Sequence, residues 1–176
     1  MLTLADIKQN FLFALERLAD KGKQELAAQG HRASGRGIES IEAQITEQTV
    51  TRLVGVILAN DYLIPVDTGV IAARVPFGGI GGGGTSRYIQ GLLNWIDIIK
   101  PGLNLKQAKS FAFAIAHTHK AEGIPSNGSY SFSNNGRRKG WIEFGIVQNE
   151  QQFEEDLNLF GLIFESFESA IQRAAA

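Results

Sequence analysis

The chain begins with a long stretch in which hydrophobic residues return every three or four positions. Over residues 2–29 this spacing places the apolar side chains on one face of an amphipathic helix. The face is formed by Leu4, Ile7, Phe11, Leu15 and Leu18. Gly30 predicts the end of the helix, because glycine adopts the left-handed conformation that closes many helices.

Two strand-like segments follow the predicted helix. From Ile41 to Thr46, apolar and polar residues alternate, which is the period of a half-buried strand. Residues 50–59 are richer in apolar and β-branched side chains, which is typical of a strand covered on both faces. Because the segments are adjacent, we predict an antiparallel hairpin that turns near Gln48.

The rest of the chain predicts helices joined by loops. A helix begins after Thr85 or Ser86 and ends at Pro101, and another covers residues 105–122 and ends at Gly123. Its predicted apolar side holds Phe111, Ala114, Ile115 and Thr118. Alternation over Trp141–Val147 predicts a short strand, and residues 151–173 predict an acidic last helix.

These elements predict an α+β fold, in which several helices cover a small antiparallel sheet. The length of 176 residues suits a single domain over residues 1–176. We expect its parts to be an N-terminal helix, a sheet-and-helix core with flexible loops, and a C-terminal helix. In residue numbers, these are 1–30 for the first helix, 31–150 for the core, 70–85 and 124–140 for the loops, and 151–176 for the last helix.

Composition narrows the function classes. The chain has no cysteine, which excludes a disulfide scaffold, a thiolate zinc site and a cysteine nucleophile. Its formal net charge of -1 argues against a protein that coats DNA over its whole surface. Without a signal-peptide pattern or a long apolar span, we expect a protein that is made in the cytoplasm and does not contact membranes.

The tripeptide Asp67-Thr68-Gly69 matches the active-site signature of aspartic proteases. In such enzymes two close carboxylates share one proton, so a chain with one motif must dimerise. The glycine run after Gly78 would then be the flap. However, Pro65 precedes the motif, where a strand is required, and the chain is too helical for that fold. A surface turn with Gly69 at a positive φ is the simpler interpretation.

Two further patterns carry little chemistry. The glycine run fits a dinucleotide-binding pattern, but it lacks the parallel strands on each side that such a site needs. His117 and His119 stand two apart, and on a helix such positions face different sides. We therefore expect no metal site and no cofactor.

Five cations lie in two loops rich in glycine and serine. We predict that they contact neighbouring subunits or the phosphates of DNA in a channel; the plainer alternative is solvated loop charge. The predicted contact residues are Arg32, Arg36, Arg137, Arg138 and Lys139. A second predicted contact is an adaptive loop that orders on assembly. Its residues are Gly79, Gly81, Gly82, Gly83 and Gly84.

The order of segments resembles the neck, head–tail connector and tail-completion proteins of tailed bacteriophages. Residues 33–41, Ala-Ser-Gly-Arg-Gly-Ile-Glu-Ser-Ile, resemble the stretch that opens the family's hairpin. Tyr62 and Asp67-Thr68-Gly69 resemble the family's end of the second strand. A glycine- and proline-containing loop, the pair Trp95-Ile96 and a helix with Phe113-Ala114-Ile115-Ala116 follow in the family's order. His117 departs from it, since arginine is common there.

The resemblance implies a structural virion protein without enzymatic activity. Such proteins form homo-oligomeric rings, commonly six-fold or twelve-fold, between the portal and the tail. The implied partners are copies of the chain itself, a portal or adaptor ring, tail proteins and packaged DNA. The implied location is the virion, after viral assembly in the host cytoplasm. The alternative function is the dimeric aspartic protease that uses Asp67.

Overall fold

The computed structural model describes residues 3–31, 34–49, 52–78 and 86–159. These residues form an α+β fold, as predicted, with one long N-terminal helix, a two-stranded antiparallel sheet and further helices. They divide into two compact units, which are described separately below. Among the described residues, unit 1 contains 3–27, 36–49, 52–61 and 141–159, and unit 2 contains 28–31, 34–35, 62–78 and 86–140. The single domain stays a prediction.

Helix α1 runs from Leu4 to Ala28, which confirms the long predicted helix. A reciprocal pair of hydrogen bonds starts it. The Thr3 amide donates to the Asp6 carboxylate at 2.8 Å, and the Asp6 amide donates to the Thr3 hydroxyl at 3.2 Å. These bonds satisfy amides that a helix start otherwise leaves open. Of the predicted stripe, Leu15 is buried and Leu4 is 43% exposed, and the buried face also includes Ala14, Ala19 and Leu26.

Two glycines bring α1 close to a short helix in unit 1. Helix α6, Trp141–Gly145, packs with Gly145 on Gly22 of α1. A Cβ added at Gly145 would lie 2.8 Å from the Gly22 Cα and 3.2 Å from the Lys21 carbonyl oxygen. Trp141 is buried beside them. Gly22 therefore weakens the helix intrinsically but allows a contact between two backbones.

Strands β1, Glu42–Gln48, and β2, Leu53–Leu58, form the predicted hairpin in unit 1. The register pairs Glu42 with Leu58, and a bulge lies between Ile45 and Glu47. Side chains of β1 alternate between exposed and half-buried, as the sequence predicts. The four-residue helix α2, Arg36–Glu39, leads into the hairpin.

The core of unit 2 lies between two helices. Helix α4, Arg87–Ile99, is capped by the Ser86 hydroxyl, as predicted. Helix α5, Leu105–Glu122, begins with an Asn104–Gln107 capping box and ends at Gly123. Ala112 and Ala116 are fully buried and let α4 approach closely, whereas Phe111 lies at the surface. The predicted apolar side of α5 was therefore displaced by one position. The remaining buried residues of this core are Val75, Phe77, Ile89 and Ile96.

The structure corrects three local predictions. The strand predicted at Trp141–Val147 is wrong, because α6 and a 3-10 helix at Val147–Asn149 occupy it. Helix α3, Leu63–Thr68, forms after the hairpin, where the sequence patterns predict no helix. The loop predicted at 124–140 contains a 3-10 helix, Asn127–Phe132. At Trp141–Gly145 the packing of Gly145 on Gly22 outweighs a short alternating pattern.

Helix α7, Glu150–Leu159, is the described part of the predicted last helix. Arg17 of α1 forms a 2.7 Å ion pair with Asp156 of α7, whose side chain is only 4% exposed. Phe11 and Phe153 meet edge to face beside it. Because a buried carboxylate needs a partner, Arg17 fixes α7 on α1. Residues 160–173 of the prediction lie outside the described residues.

Candidate interaction surfaces

The predicted cations are distributed over both units. Arg36 is exposed at the first position of α2 in unit 1. Arg137, Arg138 and Lys139 belong to unit 2, where Lys139 is exposed and the two arginines are half-buried. Arg32 and the adaptive loop with Gly79, Gly81, Gly82, Gly83 and Gly84 lie outside the described residues. Contacts of these residues with subunits or DNA stay predictions.

Arg138 closes a set of hydrogen bonds within unit 2 that we name the latch, formed by residues 28–31 and 132–139. Its guanidinium donates to the carbonyl oxygen of Gln29. The Gln29 side-chain amide donates to the Lys139 carbonyl at 3.1 Å, and the Asn134 amide donates to the Ala28 carbonyl at 2.8 Å. Arg138 therefore donates to a carbonyl just after the last residue of α1, and a cation is favourable at the C-terminal end of a helix.

His31 completes the latch. Its Nε2 donates to the Arg138 carbonyl oxygen at 3.1 Å. Burial lowers the pKa of His31 below its usual value, and the nearby charge of Arg138 lowers it further. Burial likewise lowers the pKa of the Arg138 guanidinium, although arginine stays charged. Burial and the charge of Arg138 thus both oppose protonation of the His31 imidazole in the folded chain.

Asp67-Thr68-Gly69 lies at the end of α3, not at the end of the second strand. Gly69 has φ +76°, the positive value expected for a turn. A Cβ there would lie 2.8 Å from the Ile124 carbonyl oxygen, so glycine is required by space as well as by conformation. The Asp67 carbonyl accepts a hydrogen bond from the Gly140 amide at 2.8 Å. The resemblance placed this motif after β2, which instead ends at Leu58.

The two histidines of α5 face different neighbours, as predicted. The His117 ring meets Phe77 edge to face at 4.9 Å between centroids. The His119 Nδ1 shares a 2.6 Å hydrogen bond with the Tyr88 hydroxyl. Burial lowers the pKa of His119 and raises that of Tyr88. Within the described ranges, no group of three or more His, Asp or Glu side chains is placed to hold a metal.

An exposed corner of unit 2 joins α4 to α5. Its apolar side chains are Ile98, Ile99, Leu103 and Leu105, and Leu105 is 65% exposed. Lys106 and Lys109 stand beside Leu105 on α5, three positions apart on one side of the helix, and both are exposed. We name this surface, with the four apolar side chains and the two lysines, the basic corner.

Lys100 reinforces the charge of the basic corner. Its ammonium lies over the Phe111 ring, 5.2 Å from the centroid, and this cation–π contact keeps it at the surface. The segment from Asp97 to Lys109 holds three lysines and one aspartate. The corner is therefore an apolar surface with a net positive rim.

An exposed surface of unit 1 has the opposite charge. We name it the acidic end: Ile142, Glu143, Val147, Glu150, Glu154 and Glu155. All six are exposed, and residues 141–159 contain no lysine or arginine. Asp156 is paired with Arg17, so the four glutamates make up the exposed charge. The crevice between α1 and α7 beside it, with a volume of about 10 Å³, holds little more than one water.

Sequence reasoning found the acidic helix but missed the basic corner. Lys106 and Lys109 do not form a run of charges, and Leu105 is only the first residue of the helix predicted over residues 105–122. The usable signal was the turn Pro101-Gly102, which places several apolar residues at a bend between two helices.

No family model, no curated protein and no solved structure matches this chain. In the described part of the chain, none of the helices has both the length and the apolar character needed to cross a bilayer.

Proposed function

We propose that this protein is a structural virion component of a tailed phage. In this role it is a ring-forming adaptor between the portal or head and the tail, as a neck, connector or tail-completion protein. Its partners are further copies of itself, the adjacent portal or adaptor ring and tail proteins, and packaged DNA where the ring surrounds the channel. It would be assembled in the host cytoplasm and perform no reaction.

The observation that carries the proposal is the order of the elements. The chain has a long helix, an antiparallel hairpin after residues 33–41, a helix with Trp95-Ile96 and a helix with Phe113-Ala114-Ile115-Ala116 that ends at Gly123. A further helix follows a polar segment. This is the order that the resemblance implies, and it supports the proposal over most of the chain.

The hairpin offers a physical reason for assembly. Within the described residues, β1 and β2 pair only with each other, so each strand has a second edge whose backbone groups have no strand beside them. Open edges of this kind add a strand from another chain readily. A subunit whose partners are other copies in a ring has a use for such an edge.

The protease alternative gains no support from the geometry. An aspartic protease needs its aspartate on a turn between strands, whereas Asp67 is in the last turn of a six-residue helix. The test compares two proteins. If the chain is a protease, the wild type cleaves peptides at acid pH and the Asp67→Asn variant does not. Cleavage of peptides by wild type and its loss in the variant would overturn the structural role.

The proposed function is tested on purified particles of the virus or prophage that encodes the chain. We expect mass spectrometry to detect the chain in tailed particles, and antibody labelling with negative-stain imaging to place it at the head–tail junction. Particles from which the chain is absent would overturn the proposal. The genes beside it provide a second check, since portal, capsid and tail genes should lie next to it.

A further inference from the structure

The chain carries two exposed surfaces of opposite charge in different compact units. We propose that the basic corner of one copy binds the acidic end of a second copy. This inference rests on the proposed function, because it names the contact through which neighbouring subunits of the ring meet.

The basic corner has the composition of an interface. Its centre is apolar, with Leu105 65% and Ile98 46% exposed, and its rim carries Lys106 and Lys109. Protein interfaces combine an apolar centre with a polar or charged rim in this way. Leaving so many large aliphatic side chains in water at one bend has a cost that a bound partner removes.

The acidic end matches this composition with the opposite sign. Val147 is 47% and Ile142 40% exposed, and they provide apolar area. Glu150 and Glu154 follow one side of α7 four positions apart, which suits them to face two lysines spaced similarly on a partner helix. The other side of α7 faces α1, through the half-buried Phe153 and the buried Asp156.

The charges decide which surfaces meet. Two basic corners repel each other, and so do two acidic ends, so a symmetric contact through the same surface on both copies is disfavoured. When a pair of copies makes one such contact, the contact is head-to-tail, and the pair still offers one free basic corner and one free acidic end. Repetition of such a contact closes a ring when the rotation between copies allows it.

Cysteine cross-linking tests the contact directly, because the natural chain has no cysteine. Leu105→Cys is made in one tagged chain and Val147→Cys in another, and the chains are mixed with a short bismaleimide. We expect a cross-linked dimer from the mixture and much less from either variant alone. The matched control pairs Leu105→Cys with Gln24→Cys, an exposed position on α1.

Several outcomes would overturn the inference. One is a dimer that Leu105→Cys forms with itself as well as with Val147→Cys. Another is a link within one chain that carries both cysteines, formed independently of concentration, because the contact would then be intramolecular. Equal yields with the Gln24→Cys control would mean random collision.

A charge swap separates a copy of this chain from other occupants. Lys106→Glu with Lys109→Glu should lower the cross-linking yield about tenfold, since two attractive pairs become repulsive. Adding Glu150→Lys with Glu154→Lys to the Val147→Cys chain should restore it. A cross-linking yield that the swap does not restore would contradict a second copy as the partner and favour another protein. If Lys106→Glu with Lys109→Glu binds anionic vesicles less than wild type does but cross-links to its own copies equally, the partner is an anionic lipid surface.

The same cross-link in purified particles distinguishes the two proposals. Particles that contain the chain at the head–tail junction without this cross-link would overturn the interface and leave the function standing. A specific cross-link in solution, with the chain absent from particles, would overturn the function and leave the interface. A cross-link in neither solution nor particles overturns the interface.

Discussion

Unit 2 has two basic segments, residues 137–139 and the basic corner, and they differ in what their cations contact. Arg138 is half-buried and donates to the Gln29 carbonyl, whereas Lys106 and Lys109 are exposed around apolar side chains. In the continuous run 137–139, Arg138 thus makes a contact within the fold. The dispersed Lys106 and Lys109 remain exposed and form the charged surface. A run of charges in sequence does not by itself identify a binding surface; the contacts of each side chain do.

The largest expected effect on stability is at Gly30 of the latch, and it is compared with Gly102 in the turn between α4 and α5. Gly30 and Gly102 both have positive φ, +80° and +91°. A Cβ at Gly30 would overlap the Phe132 carbonyl oxygen, whereas a Cβ at Gly102 meets nothing within 4 Å. We expect Gly30→Ala to lower the free energy of unfolding by about 3 kcal/mol and Gly102→Ala by about 1 kcal/mol. Urea denaturation measures both.

The Gly102→Ala variant serves as the control because it shares the backbone strain without the clash. If both variants lose the same free energy of unfolding, the close approach of Gly30 to Phe132 does not contribute to stability. That result would contradict the close packing of the latch.

The next effect comes from removing single cations within the segment 137–139. Arg138→Gln leaves the Gln29 carbonyl without its charged donor, so we expect a loss of about 1–3 kcal/mol in the free energy of unfolding. Lys139→Gln is the matched control, since its ammonium is exposed and only its backbone carbonyl takes part in the latch. Its expected change is within about 0.5 kcal/mol. A loss for Lys139→Gln as large as that for Arg138→Gln would contradict this assignment.

The pH dependence of stability is the third comparison. The pKa values of His31 and His119 are lowered in the folded state, chiefly by burial. The unfolded chain therefore binds more protons just below pH 6.5, so the free energy of unfolding falls as the pH drops below about 6.5 and their contribution is constant above it. Urea denaturation at a series of pH values measures the slope. His31→Gln, which retains an amide donor for the Arg138 carbonyl, should reduce it.

The double variant His31→Gln with His119→Gln should remove most of that slope. If the free energy of unfolding of the double variant depends on pH as strongly as that of the wild type, other groups cause the acid sensitivity. The role of His31 in it would then be wrong.

The smallest expected effect on folding is at the basic corner. Leu105→Ser replaces a side chain that is 65% exposed, so the free energy of unfolding should change by no more than about 0.5 kcal/mol. The same variant should weaken binding between copies, measured by sedimentation velocity of the assembled protein. A large loss of stability with unchanged assembly would mean that Leu105 belongs to the core.

Much of the fold is predictable from local patterns. The helix over residues 4–28, the hairpin, the Ser86 cap and the end of α5 at Gly123 all follow from periodicity and from capping residues. The strand predicted at Trp141–Val147 failed because seven alternating positions cannot distinguish a strand from two short helical turns. Its helical form is set by the packing of Gly145 on Gly22, which no local pattern contains.

The surfaces are less predictable than the elements. The role of Arg138 depends on the distant residues Gln29 and His31, which neighbour it only in the folded chain. Leu105 precedes the buried Ala112 by seven positions and therefore shares its side of α5, yet Leu105 is 65% exposed in the first turn of the helix. The sequence shows which charges exist, but the fold determines which of them remain for a partner.

The central claim, that the chain joins head to tail as a ring, is tested most directly by imaging particles from a virus that lacks the gene. The account predicts separate filled or partly filled heads and free tails, and joined particles when the chain is supplied from a plasmid. Normally joined, infectious particles without the gene would contradict it.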